Sequence, residues 1–115
     1  MKPARVKPFP SETALSTACQ RRIRCEYAGE VFKVHGGALQ TSGHPDLIGC
    51  IGGRMIAVEL KQPGKVPTPL QHRRLRSWAA AGALAGWATT EVELDQLLSH
   101  LAEPAWINEQ LALAL

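Results

Sequence analysis

Residues 46–61, DLIGCIGGRMIAVELK, constrain this chain more than any other stretch. Two apolar runs flank Gly52-Gly53. Paired glycines between such runs signal a two-residue hairpin turn, whose central positions both need positive φ. The expected strands are 46–51 and 54–61. Side chains alternate along a strand, so Ile56, Val58 and Leu60 make one apolar face. Met55, Ala57, Glu59 and Lys61 point the other way. Glu59 and Lys61 then stand together, about 6–7 Å apart along the strand. A hairpin turning at Gly52-Gly53 also brings Asp46 near both of them.

The remaining segments frame this hairpin. A helix is expected over 11–27, with Leu15, Cys19, Ile23 and Tyr27 as its apolar stripe and Gly29 as its stop. Glu12 lies three residues before Leu15 and shares that inward side. Residues 30–35 alternate as a first strand, followed by loop signals at Gly36-Gly37 and Thr41-Ser42-Gly43. Thr68-Pro69 is a helix start, with Thr as N-cap and Pro at the first helical position. That helix carries Leu75, Trp78 and Ala79 inward and ends near Gly82. Residues 83–89 read as a fourth strand. Thr90-Glu91-Val92-Glu93 is a capping box opening a helix with Leu94, Leu97, Leu98 and Leu101 on one stripe. Pro104 breaks it, and a last apolar helix is expected from Ala105. The order α-β-β-β-α-β-α predicts an α/β fold, a mixed sheet flanked by helices. Residues 1–10, with Pro3, Pro8 and Pro10, form an extended arm ahead of a single domain over 11–115.

A chain of 115 residues is long enough to bury a core without metal or disulfide staples. Its formal charge of +3 permits a nucleic-acid partner without requiring one. Basic residues cluster at Lys2, Arg5 and Lys7, at Arg21, Arg22 and Arg24, and at Arg73, Arg74 and Arg76; each cluster alone also reads as a solvated face. Cys19, Cys25 and Cys50 are odd in number and lack C-x-x-C spacing, which argues against a disulfide framework or zinc ribbon. A reducing, cytoplasmic setting is expected. No run is long and apolar enough to span a membrane.

Asp46 and Glu59 offer hard carboxylate oxygens to one divalent cation, and magnesium prefers such ligands. A cation there supports phosphodiester hydrolysis by polarising the scissile phosphate, with Lys61 holding water or offsetting transition-state charge. Glu-x-Lys alone is also a common surface ion pair worth about 0–1 kcal/mol. Pro-Asp before a strand is often only a turn. The combination carries the argument: Pro45-Asp46, a strand, a glycine turn, then a strand bearing Glu59 and Lys61 opposite a purely aliphatic face.

Pro45-Asp46, Glu59-Leu60-Lys61 and the order of elements resemble the PD-(D/E)XK nuclease superfamily, whose fold is restriction-endonuclease-like. The run from Ser42 to Thr90 is more narrowly similar to the virus-type replication-repair nuclease domain, VRR-NUC, in its short stand-alone phage and bacterial form. The resemblance covers roughly residues 12–101 and is most specific over 43–71. It implies a Mg2+- or Mn2+-dependent endonuclease acting on structured DNA. It also implies a Holliday-junction-resolvase-like homodimer with a role in DNA repair, in a bacterial or phage-infected cytoplasm. By position, Asp46 and Glu59 match the metal-binding acids, Lys61 the catalytic lysine, and the Leu60 carbonyl a further metal ligand. Glu12 matches the family's first-helix glutamate, although a carboxylate in a first helical turn is also favourable by about 0.3–1 kcal/mol. Gln71 matches the glutamine after the catalytic strand, although Thr68-x-x-Gln71 is itself a capping box. Lys65, His72, Arg73 and Arg74 are the expected DNA contacts. His35 and His44 flank the loop before Asp46 without metal-ligand spacing. Trp78 and Trp87 fit a core. Trp106, Ile107, Leu111 and Leu115 offer apolar surface for a second copy. The competing class is a non-catalytic module on the same fold that grips DNA or a replication partner.

Overall fold

The computed structural model describes residues 9–35 and 42–103. Its elements are α1 (Glu12–Glu26), β1 (Glu30–Lys33), β2 (Leu47–Ile51), β3 (Arg54–Leu60), α2 (Pro69–Ala80), β4 (Leu84–Ala88) and α3 (Glu91–Leu98). Residues 1–8 of the expected N-terminal arm, the Gly36-Gly37 part of the loop and the helix from Ala105 lie outside the described residues, whereas Phe9, also expected in the arm, packs against the core. Four strands form one sheet in the order β1-β2-β3-β4. The first two pairings are antiparallel, whereas β3 and β4 pair in parallel. The parallel pair exists because α2 carries the chain back across the sheet before β4 begins.

The turn at Gly52-Gly53 has φ of 55° and 85°, the conformation that side chains rarely adopt and that two-residue hairpins need. It sets the register Ile51↔Arg54 through Leu47↔Val58. Two helices cover one face of the sheet. Leu15, Cys19 and Ile23 of α1 meet Leu94, Leu97 and Leu98 of α3 over Val31, Ile56, Val58, Leu60 and Leu84. Burying each aliphatic side chain contributes about 1.5–3 kcal/mol, so β3 is pinned chiefly by this face. Cys19 is fully buried here, and burial pushes its thiol up to about 12. Arg22 of α1 forks onto Asp95 of α3 at 2.8 and 2.7 Å, and Tyr27 Oη donates to Asp95 Oδ1 at 2.8 Å. The Arg22 guanidinium, helped by Tyr27, holds the Asp95 carboxyl below its usual range.

The opposite face of β3 is not the open polar surface that alternation predicts. Leu75 of α2 covers Ile48, Ala57 and Ala85 in a second, smaller core, with Trp78, Ala79 and Trp87 at its border. A polar residue on that face is therefore buried wherever α2 reaches it.

Element ends differ from expectation by one or two residues, except that α3 ends at Leu98 and leaves Leu101, expected on its stripe, in a turn. β1 stops at Lys33, although Val34 N–H still donates to the Asp46 carbonyl at 2.7 Å. β2 begins one residue after Asp46, and β3 ends one before Lys61. The capping box at Thr90 is half made: Thr90 Oγ1 accepts Glu93 N–H at 3.1 Å, but Glu93 Oε1 takes the Thr89 N–H and hydroxyl at 2.7 and 2.6 Å. The stop of α1 also differs. Ala28, not Gly29, takes the left-handed conformation, with φ of 52°. Gly29 serves close approach instead: a Cβ there would meet Ile51 Cγ1 at 2.6 Å and the Cys50 carbonyl at 3.0 Å.

The outer strand β1 is closed by side chains. Arg24 Nη2 donates to the Val31 carbonyl at 2.7 Å, and Val31 N–H donates to Glu30 Oε1 at 3.0 Å. Side chains that occupy edge groups discourage strand addition by another molecule.

The helix stop gives opposite expectations for two neighbouring residues. Ala28→Gly should stabilise the fold by about 0.5–1 kcal/mol by relieving the left-handed alanine. Gly29→Ala should destabilise it by about 1–3 kcal/mol through overpacking against β2. Urea unfolding of both variants checks the pair, and equal effects would contradict this account of the helix stop.

Candidate active site

The hairpin register decides the site. Leu47 pairs with Val58, so Asp46 and Glu59, each one residue beyond that pair, oppose one another with side chains on the α2 face. Asp46 is tied at two points. Its backbone carbonyl accepts Val34 N–H at 2.7 Å, and its Oδ2 accepts Leu60 N–H at 2.9 Å. On the far side Glu59 pairs in register with Trp87 of β4. The row across the sheet is thus Val34, Asp46, Glu59, Trp87: two carboxyl groups between apolar walls.

Glu59 is 2% exposed. Burial pushes its carboxyl up to about 9, assisted by a hydrogen bond to Asp46 and by the charges of Asp46 and Glu12, while Lys61 pulls the other way. Without a metal Glu59 therefore keeps its proton at neutral pH. Glu59 Oε2 is buried and has no hydrogen-bond partner among the described residues. An orphaned buried carboxyl oxygen facing a second carboxylate is a costly arrangement unless a cation joins it.

These residues fit a hard divalent ion. Asp46, Glu59 and the Leu60 carbonyl would offer it oxygens, the ligand type magnesium prefers. Among the described residues no group of three or more His, Cys, Asp or Glu gathers closely enough to hold a metal. Such a sparse oxygen set suits magnesium or manganese better than a closed tetrahedral zinc site. Lys61 is half-buried just beyond β3, where its backbone N–H donates to the Ala88 carbonyl at 3.1 Å.

Other expected residues fall into place less uniformly. Glu12 is exposed rather than inward with Leu15. At the first helical position its side chain leans past the helix start, because Cα–Cβ bonds tilt toward the N-terminus. Its charge still reaches Glu59. Gln71 makes the capping box: its N–H donates to Thr68 Oγ1 at 3.2 Å, and its Oε1 accepts Thr68 N–H at 2.9 Å. The side-chain carbonyl is thereby engaged, leaving the amide Nε2 for another partner. Lys65 and Arg73 are exposed. Arg74 Nε holds the Ser42 carbonyl at 3.1 Å, tying α2 to the approach to Asp46. His72 is half-buried, with Nδ1 shielded and unpartnered. His35 is exposed, whereas His44 Nδ1 accepts Trp78 Nε1–H at 3.4 Å with the rings edge-on. The walls Val34 and Trp87 were missed by sequence reasoning. Trp87 could be found only from the parallel β3–β4 register, which no short turn sets.

No family model matches this sequence, and no curated protein matches it. Among solved structures the chain is similar to a "VRR_NUC domain" at 25% identity and a TM-score of 0.65, covering 77% of this chain and 95% of that one. The chain has a VRR-NUC fold, a nuclease fold.

The raised Glu59 carboxyl makes stability depend on pH. The unfolded chain ionises this group near its ordinary 4.5, the folded chain near 9, so between them only the folded state holds the proton. The contribution is complete below the lower value and lost as pH rises toward the upper, at up to about 1.4 kcal/mol per pH unit. Glu59→Gln should flatten that slope and make the metal-free protein more stable than wild type at pH 8. Urea titrations in EDTA across this window measure it; parallel wild-type and variant curves would contradict the buried proton.

Proposed function

We propose that this VRR-NUC-fold domain is a Mg2+- or Mn2+-dependent endonuclease that hydrolyses phosphodiester bonds in structured DNA. The observation carrying the proposal is the opposed Asp46–Glu59 pair with its unpartnered buried Oε2 and Lys61 alongside. When bound by Asp46, Glu59 and the Leu60 carbonyl, the metal supplies Lewis-acid polarisation of the scissile phosphate.

The chain's own groups do the rest. Asp46, oriented by the Leu60 N–H, and Glu59, held rigid on a core strand, present their oxygens without reorganisation. Glu59 would bind a cation as the carboxylate, releasing its proton to solvent. Lys61 offers an ammonium to the developing negative charge or to the attacking water. Val34 and Trp87 flank the pair, and the burial of Glu59 strengthens the interactions it makes. Glu12 adds negative charge at the rim. Gln71 has its amide Nε2 free of the cap to donate to substrate or water. Lys65, His72, Arg73 and Arg74 contact phosphates along α2 and the loop before it. A junction-resolving role calls for two symmetric cuts, and one such domain holds one site, so the working unit is a homodimer on branched DNA. The apolar residues expected to serve that pairing, Trp106, Ile107, Leu111 and Leu115, lie outside the described residues.

Cleavage of a labelled panel (single strand, duplex, flap, splayed arm, four-way junction) with magnesium, manganese or EDTA tests the proposal. Asp46→Asn and Glu59→Gln should each lower the cutting rate by orders of magnitude while DNA binding persists. Lys61→Ala should impair cutting yet leave metal binding intact by calorimetry. Near-normal magnesium-dependent cutting by Asp46→Asn would remove the site assignment. Replacing exposed Arg73 should weaken binding to every DNA similarly and flatten the slope of log affinity against log salt by about 1. An unchanged slope would return Arg73 to solvent.

A further inference from the structure

The α2 helix packs mainly on β3 and β4, reaches Ile48 of β2 through Leu75, and stops short of the β1 end of its sheet face. Phe32 stands at that end, 59% exposed, and Met55 is 43% exposed on the same face. Phe32 pairs with Ile48, and Asp46 lies two residues before Ile48 on the same face. Phe32 and Asp46 are therefore diagonal cross-strand neighbours, with Cβ atoms about 7–8 Å apart. A large aromatic ring in water, one row from a phosphodiester-cutting pair, lies within the span between a nucleotide's phosphate and its base.

We infer that Phe32 is a stacking platform for an unpaired base of the DNA strand whose backbone lies on Asp46 and Glu59. This inference rests on the nuclease reading and narrows it: the preferred substrate carries an unpaired nucleotide beside the cut. A base inside a duplex has both faces covered by its neighbours, so it cannot lie on a side chain without unstacking. Single-stranded bases at loops, ends and branches stack freely on aromatic rings, with little sequence preference. Continuity favours a base over a protein partner, because the ring shares its sheet face with the carboxyl pair. A second copy fits the patch poorly. Among the described residues, Phe32 and Met55 are the exposed large apolar side chains on this face, less than the apolar core of a dimer interface needs.

The test uses the whole chain and DNA bearing 2-aminopurine at an unpaired position beside the cut. Calcium replaces magnesium for binding, and magnesium is used for cutting. Wild type should quench the fluorophore on binding. Phe32→Ala should abolish the quench and weaken binding to unpaired DNA roughly ten- to hundred-fold, with continuous duplex unaffected. Phe32→Trp should restore both. An abasic nucleotide at the same position should cost wild type as much as the variant loses, with no further loss when the two are combined. Retained quenching, equal losses on duplex and branched DNA, or additive losses with the abasic site would overturn the inference. A change in oligomeric state by light scattering in Phe32→Ala would assign the ring to a second copy instead, also overturning it. Wild type that cuts no DNA with either metal would end the nuclease reading. Wild type that cuts, with Phe32→Ala indistinguishable from it in binding and cutting, would end this inference alone.

Discussion

Everything at the candidate site depends on one tight turn. Gly52 and Gly53 both sit at positive φ, and this two-residue connection leaves β2 and β3 only one register. A slip by one residue would move every side chain to the opposite face. Glu59 would then project into the aliphatic layer under α1 and α3, and Leu60 would take its place beside Asp46. The large aliphatic burial of Ile56, Val58 and Leu60 penalises that slip heavily, so the core enforces the same register that the site needs. The Leu60 N–H to Asp46 bond closes the arrangement by fixing the carboxylate to the strand that carries its partner.

The site is held together against its own electrostatics. Two acids face each other with Glu59 buried, and the folded protein tolerates this by keeping the Glu59 carboxyl protonated. The aliphatic cores supply the stability that this arrangement costs, a common relation between scaffold and site. Rigidity follows from the same arrangement. Glu59 sits on a strand buried on both faces, and Asp46 is tied by backbone on one side and side chain on the other. A cation meeting this pair would find ligands already placed.

The asymmetry of α2 shapes the approach to the acids. By covering β3, β4 and Ile48 of β2 it helps bury Glu59, and by stopping short of β1 it leaves Phe32 exposed on the same face. Its first turn is stapled by Gln71 and Thr68, and Arg74 ties it to the chain just before Asp46. The helix thus acts as a wall beside an exposed floor around Phe32 of β1. The edge of that floor is sealed by Arg24 and Glu30, which leaves its face as the accessible surface.

Local chemistry made most of the architecture legible. The glycine pair, the Thr-Pro helix start, the 3.6-residue stripes and the two-residue alternation each act over a few neighbours, so the α-β-β-β-α-β order and the Asp46–Glu59–Lys61 grouping follow from residues close in the chain. Only tertiary structure decided how those groups are surrounded. Glu59 is buried, not on an open polar face, because α2 returns over it from residues 69–80. Glu12 is exposed because α1 begins at the margin of the layer it covers. Trp87 became a wall through a parallel pairing whose register is set by packing rather than by a turn. Ala28 bears the left-handed turn because Gly29 is needed where β2 passes too close for a Cβ. Which groups meet at the candidate site is written in short-range pattern; the burial of Glu59, its retained proton and the access of its neighbours to solvent depend on segments far apart in the chain meeting in space.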